Sequence, residues 1–185
     1  MVLEKAKLTP AASGEGDPIE FMFNPTELAF EETIQTDGSP GVRDEKSGKP
    51  KVSFSNIPPH KITVSNIIFD TYEEEGTSRD VFEKCIKPFK TATQFVNGKQ
   101  RPPIYVFSWG NNRKYLEYCF IERLSYKLSM FLSDGTPVRA VINSLTLVEA
   151  DSPAALDSQS PSPVVDPVND NYETRMSQSQ GRNRG

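Results

Sequence analysis

The stretch from Tyr115 to Leu147 restricts the possible folds more than any other part of the chain. "YLEYCFIERLSYKLSMF" is dense in aromatic and β-branched residues, with Leu124, Tyr126 and Leu128 in alternation. "SDGTP", residues 133–137, is a turn of the Asp-Gly kind that joins adjacent antiparallel strands. Val138, Ala140 and Ile142, then Leu145 and Leu147, continue the period of two beyond it. A helix cannot present those residues on one side, so this half of the chain specifies an antiparallel sheet with one buried face.

Other segments fit the same sheet. "PPIYVFSWG" has the composition of a buried strand ending at Gly110, and in "HKITVSNIIFDTY" Ile62, Val64, Ile67 and Phe69 mark a strand with a bulge where the alternation slips. In "IEFMFNPTELAF", Ile19, Phe21 and Phe23 form a strand, Asn24 and Pro25 a corner, and Leu28, Phe30 and Ile34 a second strand. Asn24 precedes proline and is biased to extended backbone, and its amide can bond the backbone two residues on. "TSRDVFEKCIKPF" is the one convincing helix. Thr77 and Asp80 make a capping-box pattern, Val81, Phe82, Cys85, Ile86 and Phe89 share a face, and Pro88 is expected to stop or kink it near Lys87. The predicted fold is mainly β: an antiparallel sandwich or partly open barrel with one flanking helix.

Three segments stand outside this pattern. Residues 1–18, with Pro10, Gly14, Gly16 and Pro18, read as a flexible lead-in to a domain over 19–150. "TDGSPGVRDEKSGKPK", residues 36–51, reads as a long loop, not a strand, and as a candidate arm for a partner. Residues 151–185 read as a Pro/Ser-rich tail, with "PVVDPV" a short docking motif.

Little here supports chemistry. His60 is the sole histidine, so a multi-histidine metal site is excluded by count, and Cys85 and Cys119 lack metal-ligand spacing. A Cys-His nucleophile is formally available, but both cysteines sit among apolar residues. The acidic run "DTYEEEGTSRD" lacks the alternating oxygen ligands of a calcium loop. No phosphate-cradling glycine loop or Gly-x-Ser-x-Gly elbow occurs. No catalytic, cofactor-binding or metal residue is therefore assigned, and the expectation is a non-enzyme. A net charge of -4, from 21 basic and 25 acidic residues, gives no overall field for nucleic acid. Tyr105, Phe107, Trp109 and Tyr115, with Lys99, Arg101, Arg113 and Lys114 nearby, leave single-stranded nucleic acid as an alternative ligand. No secretion signal or membrane-spanning run is seen, so synthesis in the cytoplasm without membrane insertion is expected.

"FMFNPTEL", "IIFDTYEEEGTSRDVFEKCI", "PPIYVFSWG" and "SDGTPVRAVINSLTLVE" occur in the order seen in the tube-type N-terminal domain of contractile injection system proteins, and residues 19–150 resemble that family. It includes LysM-bearing baseplate proteins that start the inner tube of phage-tail-like particles. The resemblance implies a fold like the phage tail tube protein and the Hcp ring protein. It also implies a hexameric ring between the central spike and the tube, with inner tube, spike or hub and other baseplate proteins as partners. By that resemblance Asn24 and Pro25 set the first corner, and Phe69, Asp70 and Tyr72 end the strand before the helix. Trp109 and Gly110 close the middle strand, while Asp134, Gly135, Thr136 and Pro137 make the last turn, followed by Arg139. Members often continue into LysM, where this chain has its Pro/Ser-rich segment. The alternative reading is a monomeric β-sandwich that binds glycan, peptide or single-stranded nucleic acid.

Overall fold

The long hairpin forms as its pattern requires. In the computed structural model, which describes residues 3–43, 50–111 and 113–158, β8 (Lys114–Phe131) and β9 (Pro137–Glu149) pair antiparallel across the Asp-Gly turn. On the far side of β9 lies β6 (Lys61–Asp70), also antiparallel. The register brings apolar residues into rows across the three strands: Ile62 with Leu147 and Ile121, Val64 with Leu145 and Leu124, Ile67 with Ile142 and Tyr126, and Phe69 with Ala140 and Leu128. Alternation slips in β6 at Asn66, whose φ of 55° lies in the left-handed region. The register with β9 is unbroken, with Ser65 opposite Ser144 and Ile67 opposite Ile142, so this is a left-handed kink without the extra residue of the expected bulge, and Ile67 and Phe69 stay on the core side of the sheet.

Around this centre a seven-stranded antiparallel sheet runs in the order β2-β1-β7-β8-β9-β6-β3. Its outer members are β1 (Lys7–Pro10), β2 (Ile19–Glu20), β3 (Leu28–Glu31) and β7 (Tyr105–Ser108). The two outermost strands, β2 and β3, do not pair with each other, so the barrel stays open. Side chains and a helical segment fill the gap. Phe21, just after β2, packs on Phe89 at 5.6 Å between ring centroids and on Phe107 at 6.3 Å, and Phe89 meets Phe69 of β6 at 5.9 Å. These four rings are buried, and together they join both halves of the curled sheet. Each contributes roughly 1.5–3 kcal/mol through burial.

Residues 3–18 are not a loose lead-in. Strand β1 pairs with both β2 and β7, and Ala6 and Leu8 are fully buried. The apolar signal in "KAKL" is too short to read as a strand in isolation, and pairing on both sides supplies what the pattern lacks. The expected strand over 19–23 shortens to β2, and Ile34 lies beyond β3 with 59% exposure.

Residues 36–51, a loop by their sequence, belong mostly to a hairpin of β4 (Gln35–Arg43) and β5 (Pro50–Asn56). These strands form a sheet of their own and do not join the large one. A ribbon outside the large sheet is not bound to the apolar rows of that sheet, which is why the sequence pattern does not show it.

The helical segment differs from its expected form. A 3-10 turn (Gly76–Arg79) precedes Asp80, whose Oδ1 accepts the N–H of Phe82 at 2.9 Å and of Glu83 at 3.2 Å. Asp80 is thus the N-cap, in place of Thr77. A π-turn over Phe82–Ile86 then leads into α1 (Lys87–Thr91), and Pro88 lies in the first turn of α1. The chain does not stop at Pro88 because the Lys87 N–H reaches back to the Phe82 carbonyl, five residues before it. That wider turn makes room for the ring, and a proline at a helix start needs no N–H partner. Finally, residues 153–158 of the expected tail form the short helix α2 (Pro153–Ser158), with Pro153 buried. The "PVVDPV" motif lies outside the described residues.

Candidate assembly interface

Strand β6 ends at Asp70, directly opposite Arg139 of β9. One carboxylate oxygen of Asp70, Oδ2, accepts from Arg139 Nε at 2.9 Å and again from its terminal guanidinium nitrogen. The other accepts the Tyr72 N–H at 3.0 Å, so a cross-strand ion pair also shapes the turn that follows. That backbone hydrogen bond, together with the guanidinium, holds the Asp70 carboxyl below the usual range. Next to it, the Thr71 N–H donates to the Val138 carbonyl at 2.9 Å, and the Thr71 hydroxyl donates to the carbonyls of Val138 and Arg79. The Arg79 side chain donates to the carbonyls of Glu74 and Tyr72.

The β8–β9 turn joins this rim. Asp134 Oδ1 accepts the Thr136 N–H at 2.9 Å, and the Leu132 N–H donates to the Thr136 carbonyl at 2.9 Å. Gly135 has φ of 86°, which a residue with a Cβ adopts only under strain. The Thr136 N–H and, more distantly, Arg79 lower the Asp134 pKa. Asp70, Tyr72, Asp134, Gly135, Thr136 and Arg139, separate in the sequence, thus share one rim. Large side chains stand uncovered beside it: Tyr72 is 51% exposed, Met130 42% and Phe131 59%.

The adjoining edge is open. Strand β7 pairs with β8 only as far as Cys119, so from Phe120 to Phe131 that side of β8 has no strand partner among the described residues. A long unpaired edge presents a row of N–H and C=O groups that template pairing with another chain.

The remaining sequence-predicted residues lie elsewhere. Asn24 Oδ1 accepts the Ala6 N–H at 2.9 Å and its Nδ2 donates to the Glu4 carbonyl at 2.8 Å. Its amide therefore bonds the chain entering β1, not the backbone two residues on, while Pro25 is buried beside it. Trp109 is half-buried against the core, and with Gly110 it opens the β7–β8 turn, in which the Trp109 N–H donates to the Arg113 carbonyl at 3.0 Å.

One constellation is not legible in the sequence. Glu15, 0% exposed, accepts two hydrogen bonds from the Arg101 guanidinium at 2.7 Å, one from Lys99 at 2.7 Å and one from the Ile104 N–H at 2.9 Å. Lys99 and Arg101 also bind Asp157 of α2. Burial would raise the Glu15 pKa, but the hydrogen bonds from Arg101, Lys99 and Ile104 outweigh it and bring the carboxyl down to about 2. These partners are 84 to 89 residues from Glu15 along the chain, so no local pattern announces them.

The same contacts take up several of the residues that pointed to nucleic acid. Tyr105 and Phe107 are buried, Lys99 and Arg101 are committed to carboxylates, and Arg113 lies over the Tyr115 ring at 5.2 Å. Burial pushes the Cys85 thiol up to about 11 and the Cys119 thiol up to about 12, so both are protonated at neutral pH. Cys119 donates to the Tyr105 carbonyl at 3.3 Å, with no imidazole in that contact. The described residues thus show an unpaired strand edge, a two-stranded ribbon outside the large sheet and a rim with exposed rings.

That combination defines a mainly β module with one large open sheet. The family of contractile injection system tube proteins matches residues 1–157, and the chain belongs to it. The match takes in β1 and reaches Asp157, the α2 residue that closes the Glu15 network. No match was found among curated proteins. Membership makes the chain a structural component of a contractile injection particle, assembling with other tube or baseplate components. No helix among the described residues is long and apolar enough to cross a membrane.

Proposed function

We propose that copies of this chain join edge to edge into a hexameric ring at the baseplate, between the central spike and the inner tube, where the ring initiates tube assembly. The open β8 edge over Phe120–Phe131 carries this reading. Strand β3, at the opposite end of the same sheet, is the complementary edge. Head-to-tail pairing of unlike edges closes into a ring and leaves its two faces different, one for the spike and one for the tube. A preformed ring then removes the nucleation step of stacking.

The β4–β5 hairpin is the arm to the adjacent layer. A free two-stranded ribbon is marginally stable in water, and Ile34 and Ile57 flank it at 59% and 70% exposure. Docking on a neighbouring ring would cover both. The Asp70–Arg139 rim, with Tyr72 and Phe131, provides a second contact surface, where rigid rings are favoured. Synthesis and assembly take place in the cytoplasm, and the particle is later released or membrane-attached.

Electron microscopy of the purified chain, alone and mixed with a tube protein from the same system, tests the proposal. Rings alone, and tubes seeded by them, are expected. A chain that stays monomeric at every concentration and is missing from intact particles refutes the ring and favours a solitary module for glycan, peptide or single-stranded nucleic acid. Deleting residues 38–49 should leave the domain folded but stop tube growth, and tubes of normal length in that strain would rule out the arm.

A further inference from the structure

Between the β1–β2 loop and α1 with the turn that follows it lies a cleft of about 500 Å³, a size that admits a small ligand or a few residues of peptide. Much of its wall is apolar: Pro88, Ala92, Phe95, Val96 and Pro103, with Gly16 at one lip. Phe95 is 67% exposed there. One polar group faces this space from below. The Tyr105 side chain is buried, 2% exposed, yet its hydroxyl has no hydrogen-bond partner among the described residues. Every fully enclosed side-chain oxygen among them has a partner, so this hydroxyl opens on the cleft. A Cβ at Gly16 would lie 2.9 Å from it, and glycine leaves that approach clear. Burial, with the Asp17 and Glu15 carboxylates nearby, pushes the Tyr105 pKa up to about 12, so it remains a hydrogen-bond donor at neutral pH.

We infer that this cleft is a docking site for residues 161–165 of the same chain, "PSPVV", held extended with one backbone carbonyl on the Tyr105 hydroxyl. The described residues end beside the cleft. Asp157, next to the last of them, binds Lys99 at 2.9 Å, and the same ammonium binds Glu15 of the cleft at 2.7 Å. Extended backbone covers at most about 3.6 Å per residue, so Pro161 lies within about 11 Å of Ser158 and Val165 within about 25 Å. The sequence suits the site. Pro161, Pro163 and Pro167 bias Ser160, Ser162 and Asp166 to extended backbone, which makes no internal hydrogen bonds and so offers its carbonyls. Proline and valine side chains match an apolar wall with a ring beside it, the mode by which aromatic-lined grooves take proline-rich segments. At the rim Lys87 is matched by Glu83, and Asp17 adds a further carboxylate, so no positive charge is left for a phosphate. A short tether also gives the segment a millimolar effective concentration, so its own copy fills the cleft ahead of a neighbour. The contact needs no ring.

Amide hydrogen exchange of the full chain tests the contact. Val164 and Val165 should exchange at least about tenfold more slowly than in a free peptide of residues 159–168. Phe95→Ser, at a position exposed enough to leave the fold intact, should bring both to the free rate. Tyr105→Phe should lower their protection roughly three- to tenfold, the worth of one hydrogen bond, while Ile142 and Leu145 in β9 keep their slow exchange in both variants. In the full-length Phe95→p-benzoylphenylalanine variant, light should cross-link position 95 to residues 161–165. In a mixture of isotope-labelled and unlabelled copies, those cross-links should join like isotopes only. Exchange of Val164 and Val165 at the free rate in the parent, or protection untouched by Phe95→Ser, would overturn the docking. Protection untouched by Tyr105→Phe would remove the hydroxyl as its anchor. Cross-links between labelled and unlabelled copies would give the cleft to a second copy and overturn the same-chain occupant.

Discussion

Replacing Glu15 by Gln removes the central charge of the network that ties the β1–β2 loop, the segment before β7 and α2 together. The neutral amide still accepts from Ile104, but its NH2 group faces the Arg101 guanidinium, donor against donor. Magnitude follows from linkage: the folded carboxyl sits at about 2, against 4.5 ordinarily. At 1.36 kcal/mol per pH unit the carboxylate contributes about 3 kcal/mol at neutral pH. Lys99 and Asp157 are partly exposed, at 27% and 42%, so screening trims the expected loss. About 2–3 kcal/mol remains, equivalent to a fall in Tm of roughly 5–10 °C for a chain of this size.

The pH dependence has a fixed sign. Because the folded pKa is depressed, the stabilisation is complete above the unfolded value and is lost as pH falls from about 4.5 through about 2. Thermal unfolding of parent and Glu15→Gln chains between pH 7 and 3 should therefore give a constant gap above pH 5 that narrows below 4.5. A variant as stable as the parent at pH 7, or a gap that does not narrow in acid, would refute the reasoning.

Three further outcomes are expected. Gly16→Ala should destabilise by about 1–3 kcal/mol in urea unfolding, since φ is 104° and the new Cβ would lie 2.9 Å from the Tyr105 hydroxyl. Adding Tyr105→Phe should recover part of that loss, and strict additivity would exclude the clash. Asn24→Ala should cost about 1–2 kcal/mol and speed hydrogen exchange at the Ala6 amide, whereas unchanged exchange would show that the bond to Asn24 Oδ1 is not protective. Cys85 and Cys119 should react with a thiol-disulfide reagent at pH 8 at least about a hundredfold more slowly than free cysteine, and normally once unfolded. Fast labelling of the folded chain would contradict the burial of Cys119 and the raised pKa of both thiols.

The central sheet is readable from the chain alone. Period-two apolar rows in β6, β8 and β9 are local signals, and a strand with one buried face must show them. The Asp-Gly turn and the slip at Asn66 are legible for the same reason. Other features exist only through long-range packing. Strand β1 has an apolar pattern too short to stand alone and forms because two neighbours pair with it. The β4–β5 ribbon forms a sheet of its own and takes no part in the apolar rows of the large one. Pro88 stays within a helical run because the backbone widens just before it. Asp70 and Arg139 meet, and Glu15 gathers Arg101, Lys99 and Asp157, through chain closure over distances that no sequence window spans. Hydrophobic alternation is written residue by residue, but an ion pair between distant residues is fixed only when the fold brings its two charges together.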